Sequence, residues 1–156
     1  MRVHVGAVGR LRAGPERALI DDYAARFDKS GRALGLGPLQ LHEVEDKKGG
    51  GMAAEALLLD RTIPKGAVVV ALDERGEVMT SPEFSRKLAR WRDTGCGDAT
   101  FLIGGADGLS PDLRARADVA LSFGKMVWPH MLARVMLMEQ LYRAASILAG
   151  SPYHRA

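Results

Sequence analysis

At 156 residues the chain is long enough for one domain with a sizeable core and short for two. Its net charge of +3 is too small to argue for an anionic partner, so any nucleic-acid site has to be a local patch. The single Cys96 excludes an internal disulfide, no apolar run is long enough to span a membrane, and the opening MRVHVGAVGRLRAG carries no apolar export segment; a cytoplasmic protein with no membrane partner is expected.

Val3–Val8 is short and β-branched and predicts a first buried strand. Pro15 opens a helix to about Phe27, with Leu19, Ile20, Tyr23 and Phe27 on one face, and Lys29–Pro38 follows as a glycine-rich connection. Leu39–Val44 is a second strand. Glu45–Gly51 combines mixed charge, three consecutive glycines and no apolar anchor. It is either a solvated loop or a mobile lid whose Lys47 and Lys48 meet phosphate. Met52–Thr62 is a short amphipathic helix stopped near Pro64. Ala67–Leu72 is a continuous apolar run, as a central parallel strand covered on both faces would be, and Asp73–Gly76 is expected to turn out of its carboxyl end.

Ser81 is expected to cap a helix with Pro82 at its first position, running to about Thr94 with Phe84, Leu88 and Trp91 inward. Ala99–Ile103 is the next buried strand and ends in Gly104–Gly108. Ser110-Pro111 restarts a helix, and Asp118–Leu121 is a short strand. After a loop with Gly124 and Lys125, Pro129 precedes nineteen residues free of Gly and Pro and rich in good helix formers. Met131, Val135, Met138, Leu141, Tyr142, Ala145 and Leu148 fall on one face, Leu132, Met136 and Leu137 add apolar surface elsewhere, and Arg134, Glu139, Gln140 and Arg143 interrupt it. A helix this apolar is wider than one sheet face needs. The excess is expected to be buried against a second copy of the chain, the alternative being a central core helix in a monomer. The tail at 151–156, SPYHRA, is too short to pack as an element.

Alternating strands and helices argue for a single α/β domain over 1–156 with a mostly parallel sheet flanked by helices. In open parallel sheets, ligands bind outside the carboxyl ends of the strands, which selects the loops after Leu72, Ile103 and Leu121. The glycine-rich loop at 104–108 lacks the Gly-Lys-Ser/Thr of a phosphate loop and the spacing of a dinucleotide fingerprint. No His/Cys/carboxylate spacing suggests a metal, and there is no G-x-S-x-G elbow. His130, at a helix start, suits a structural donor. Tyr153, His154 and Arg155 are either a frayed terminus or a group suited to stacking on a base and contacting phosphate.

Three segments in order, FLIGGADGLS, LSFGKMVWPHMLARVMLMEQLYRAASI and SPYHRA, resemble the landmarks of the ribosomal RNA large subunit methyltransferase H family, small members of the SPOUT (α/β-knot) methyltransferases. The strand near Val3, the VVVALDERGE segment and the helix Ser81–Thr94 with its Trp-Arg end fall in order at similar spacing, so the resemblance covers the whole chain. It implies a deep trefoil knot within about 101–150, a feature otherwise essentially absent from proteins, and a homodimer. It implies S-adenosyl-L-methionine (SAM) as cofactor with no metal. The cofactor contacts carry over to Leu72, Gly105, Gly124, Lys125, Met126, Val127, Trp128 and Pro129. A branched side chain at Gly105 would then be expected to intrude on the cofactor.

The family methylates N3 of a pseudouridine in 23S ribosomal RNA on assembled ribosomes. The tail then supplies the catalytic residues Tyr153, His154 and Arg155, with Lys47, Lys48 and Arg155 contacting RNA. His154 is a candidate base, because an imidazole titrates near working pH. Arg155 could hold the resulting anion or a phosphate, and Tyr153 could stack. Two features depart from the family: Phe123–Trp128 replaces a plainer Ser/Leu/Thr-like run, and the chain ends in Ala156 where Glu or Gly is common. The rival readings are a ribosome-binding protein without catalysis and a SPOUT enzyme acting on transfer RNA.

Overall fold

Five parallel strands pair in the order β2-β1-β4-β3-β5, in a computed structural model that describes residues 1–155; Ala156, the end of the expected tail, lies outside the described residues. They are β1 (Arg2–Val8), β2 (Leu39–Val44), β3 (Val68–Val78), β4 (Asp98–Ile103) and β5 (Val119–Ser122). The helices are α1 (Pro15–Gly31), α2 (Gly51–Asp60), α3 (Ser81–Asp93), α4 (Pro111–Arg116) and α5 (His130–Leu148). The two-residue strand period sends successive side chains to opposite faces. Val3, Val5, Ala7, Val70, Phe101 and Ile103 meet Ile20 and Phe27 of α1, Phe84 and Leu88 of α3, and Leu137, Met138 and Leu141 of α5. Val8, Val69, Ala71 and Leu102 meet Leu59 of α2 and Leu113 of α4 on the other face. The sheet is therefore the middle of three layers, as the strand–helix alternation predicts.

Four local expectations change. First, α1 runs on through Lys29 to Gly31, followed by one 3-10 turn at Arg32–Leu34, because nothing in Asp28-Lys29-Ser30 breaks a helix and Lys29 faces the negative end of its dipole. Second, β3 does not turn out at Asp73–Gly76. It continues to Val78 through a register shift between Leu72 and Glu77, after which Glu77 and Val78 pair with Leu121 and Ser122. Gly76 permits this, since a Cβ there would lie 2.6 Å from the Ala120 backbone. Third, the cap of α3 is Thr80 rather than Ser81: Thr80 Oγ1 accepts from the Glu83 N–H at 3.2 Å and Glu83 Oε2 accepts from the Thr80 N–H at 2.7 Å, a reciprocal capping box. Fourth, the Glu45–Gly51 loop, expected to be irregular, has a local turn of its own: the Asp46 carboxylate accepts from the N–H groups of Lys48 and Gly50.

The buried face of α5 is also rotated from the expected stripe. It consists of Arg134, Leu137, Met138, Leu141, Ala144, Ala145 and Ser146, while Met131 and Leu132 stay exposed. Arg134 is 1% exposed. It donates to Glu43 Oε2 at 2.9 Å and to the carbonyls of Val8 and Gly9, both at 3.1 Å, tying α5 to the carboxyl ends of β1 and β2. Burial pushes the Glu43 carboxyl up, and the Leu11 N–H, Arg17 and Arg134 more than offset this to hold it below the usual range. At the opposite end of the sheet Asp98 accepts from Arg2 and His4, and His4 Nδ1 meets His42 Nε2 at 3.1 Å.

Candidate functional site

The loops after β3, β4 and β5 converge on one open cavity of about 290 Å³. Its walls are apolar: Leu72, Ile103, Leu109 and Leu121 close the inner end, and Phe123, Met126, Val127 and Trp128 one side. Its rim is acidic, with Asp73, Glu74 and Asp107. Asp73 is locked. Its carboxylate accepts from the Arg75 N–H at 2.9 Å, from Arg75 Nε at 3.0 Å and from Arg114 Nη1 at 3.4 Å. Burial pushes this carboxyl up, but Arg75 and Arg114 outweigh it and hold it below the usual range. Ala133 and His130 of α5 complete the wall, and burial, with the Arg134 charge behind it, lowers the His130 imidazole.

Of the residues expected to hold a cofactor, Leu72, Gly105, Gly124, Met126, Val127 and Trp128 line this cavity. Lys125 and Pro129 lie in the same loop, exposed and outside the wall. Gly124 has φ +114°, a conformation that L side chains rarely adopt, so the glycine is required by the path of the loop. Gly105 behaves differently from expectation. A Cβ there would point away from the cavity, to 3.2 Å from both Val8 Cγ1 and the Glu55 carboxylate. A larger residue would press the loop against β1 and α2 rather than enter the ligand space. Glu55 itself is raised, by burial first and then by the negative charges of Asp107 and Asp46.

The tail does not reach the cavity. Nor is it a free end, as far as the described residues 151–155 go: it folds back on α5. The Tyr153 hydroxyl donates to Glu139 Oε1 at 3.0 Å, its ring meets the edge of Tyr142 at 4.6 Å between centroids, and the Arg143 guanidinium lies 4.8 Å over it. Burial and the Glu139 carboxylate raise the Tyr153 phenol, which stays protonated. Arg143 Nη1 contacts His154 Nδ1 at 3.2 Å, and Arg155 is exposed. Lys47 and Lys48 are exposed in the loop beside α2. The acidic rim, His130 and the Glu139–Arg143 pair were not singled out as site residues by sequence reasoning. Only the last left a signal, its four-residue spacing on a helix.

A second cavity, of about 460 Å³, adjoins the first and is lined by Leu19, Val78, Phe84, Phe123, Val135 and Met136 among others. Leu19 and Val78 on its wall are exposed, as are Met126, Val127 and Trp128 of the adjoining first cavity and Met131 and Leu132 in the first turn of α5. No helix among the described residues is long and apolar enough to cross a membrane.

A family model described as "Predicted SPOUT methyltransferase" matches residues 1–154. The chain belongs to the SPOUT methyltransferases. Among its relatives, the ribosomal RNA large subunit methyltransferase H of Ruegeria sp. (strain TM1040) is 67% identical over 155 residues, covering 99% of each chain. The protein of the same name from Roseobacter denitrificans is 68% identical over the same length, again covering 99% of each. Among solved structures, a probable methylase family protein from Haemophilus influenzae Rd KW20 aligns with TM-score 0.54 at 13% identity, covering 99% of this chain and 70% of that one, a likeness of fold. The apolar, acid-rimmed cavity thus lies at the strand ends of a SPOUT methyltransferase domain.

Proposed function

We propose that this chain is a SAM-dependent methyltransferase acting on N3 of a pseudouridine in 23S ribosomal RNA, within the assembled ribosome. The observation that carries the reading is the closure of three strand-end loops on one cavity. Its apolar walls suit a flat base, and its acidic rim suits the cationic ammonium and sulfonium of SAM, so the residues present fit this cofactor. Leu72, the backbone of Gly105 and the Gly124–Pro129 loop would hold it, and no metal is needed. Bound there, SAM supplies an electrophilic methyl group. Large-subunit ribosomal RNA as the substrate is supported by the name that near-full-length relatives carry; the pseudouridine N3 and the assembled ribosome are taken from the family resemblance.

The task left to the protein is to hold the base in line with that methyl group and to manage the N3 proton. We assign the second part to the tail, with Tyr153 packing on the base or its neighbour, His154 and Arg155 facing the imide or phosphate, and Lys47 and Lys48 adding phosphate contacts. A single chain separates the two parts. His130 at the cavity and Arg143 at the tail are thirteen residues apart on α5, about 20 Å along a helix axis. A homodimer packed through the apolar region around the second cavity would supply one protomer's tail to its partner's cavity. We place the family's knot within about 101–150. In support, β4 inserts between β1 and β3, while α5 returns from β5 to Val8 and Glu43.

Methyl transfer to ribosomes lacking the modification, followed by mass spectrometry of the RNA, tests the reading. The expected product is one methyl group on the pseudouridine. Deleting Tyr153–Ala156 should leave SAM binding by calorimetry intact and reduce transfer by at least about 100-fold. Transfer to tRNA instead, or a wild-type rate from the truncated protein, would overturn it.

A further inference from the structure

The tail is held by two side chains of α5 for which the proposed reaction has no use so far. Glu139 Oε1 accepts from Arg143 Nη2 at 2.6 Å, from Arg143 Nε at 3.0 Å and from the Tyr153 hydroxyl at 3.0 Å; Oε2 accepts from Gln140 at 3.1 Å. That set leaves Arg143 Nη1 pointing at the tail, where it meets His154 Nδ1 at 3.2 Å. A guanidinium has only donors. Nδ1 must therefore be the acceptor, and the neutral ring then carries its proton on Nε2. Nδ1, the acceptor of that tautomer, is thereby engaged by Arg143, and Nε2–H is the polar group of the ring left for a substrate.

We propose that Glu139 and Arg143 are positioning residues that fix His154 with its proton on Nε2, so that the ring acts on the substrate as a hydrogen-bond donor and not as the proton acceptor. This rests on the assignment of the tail as the catalytic part. As N3–H ionises, its proton passes to water or a buffer base, and the negative charge spreads onto the flanking carbonyl oxygens. Nε2–H donates to one of these oxygens, which stabilises the anion. The N3 lone pair then forms the new N–C bond while the methyl–sulfur bond breaks, its electron pair remaining on sulfur; nothing is oxidised.

Two independent measurements on the full-length protein test it. Long-range proton–nitrogen NMR of histidine-labelled protein, with the His154 signals assigned from their loss in His154→Gln, reads the tautomer without any turnover. A single species with Nε2 protonated is expected, giving way in Arg143→Met to averaged shifts at both nitrogens and restored in Arg143→Lys. Transfer to unmodified ribosomes supplies the second. Gln places an amide N–H near the Nε2 position and cannot act as a base, so His154→Gln should stay within about tenfold of wild type, whereas His154→Ala, lacking the donor, should lose about 10²–10³ in kcat. Arg143→Met should lower kcat with KM for ribosomes unchanged. A proton found on Nδ1, or His154→Gln as inactive as His154→Ala, overturns the donor role while the tail stays catalytic. A wild-type rate from His154→Ala instead removes the tail from the chemistry and the proposal with it.

Discussion

Arg134 is the residue at which sequence and structure diverge most. In the helical pattern it interrupts an apolar stripe; in the fold it is among the most buried side chains, and its partner Glu43 is 91 residues away. Periodicity reports which face is apolar and has no access to a distant carboxylate that makes a buried cation tolerable. Arg134→Met should lower unfolding free energy by about 3–5 kcal/mol in urea denaturation, because Glu43 and two carbonyls lose their donor together. Combined with Glu43→Gln the loss should be less than the sum. Glu55 gives a pH signature. Its folded carboxyl is raised, so ionisation opposes folding: the cost is absent below the unfolded value and sets in as pH rises through the folded one. Glu55→Gln should therefore raise the melting temperature at neutral pH, with the gain vanishing toward pH 4 in a pH series of thermal melts. The acidic neighbours Asp46 and Asp107, from separate loops, were not visible as a group in the sequence.

At the scale of elements, strands buried on both faces were the most legible, because their apolar runs are continuous. Of these, β1 and β4 differ from expectation by one residue at the start, while the edge strand Leu39–Val44, read from its alternation, was expected within its observed bounds. The far half of β3 was not legible. Asp73-Glu74-Arg75-Gly76 has turn composition, and only pairing with β5 across an irregular register holds it extended. The Ser-Pro signal predicted both α3 and α4, but for α3 the preceding Thr80 wins, since Glu83 sits three residues beyond it and answers reciprocally. Thr80→Ala should cost about 1 kcal/mol, while Ser81→Ala, whose hydroxyl faces Gln140 instead, should cost less; chemical denaturation of the two variants separates them. For the site, the three loops were legible from the rule that ligands sit at strand ends. The docking of the tail was not, because it depends on Glu139 and Arg143, which belong to a helix and read as surface charge.

At the scale of the whole molecule, the apolar exposure around Val78, Met126, Val127, Trp128 and Leu132 is what a subunit face requires. Light scattering at micromolar concentration should give twice the chain mass. Val78→Asp, placed at a 67% exposed side chain, should shift it to the monomer while leaving circular dichroism unchanged. If the cavity and the tail of different protomers work together, that variant should also lose methyl transfer.

The buried tie at Arg134 has one more consequence. It clamps α5 near its start, and the same helix carries the tail at its end, so α5 is a fixed-length strut that sets how far the tail stands from its own protomer's cavity and, on the proposed composite site, where it meets the partner's. The reach of this enzyme is then counted in residues. Inserting one alanine between Arg134 and Glu139 would swing the tail by about 100° around the axis, whereas inserting four would restore its heading and displace it by about 6 Å. Either insertion also moves Leu141, Ala144 and Ala145 off their places against the sheet, so a lower melting temperature is expected, less with four residues, which return these side chains to the core face, than with one.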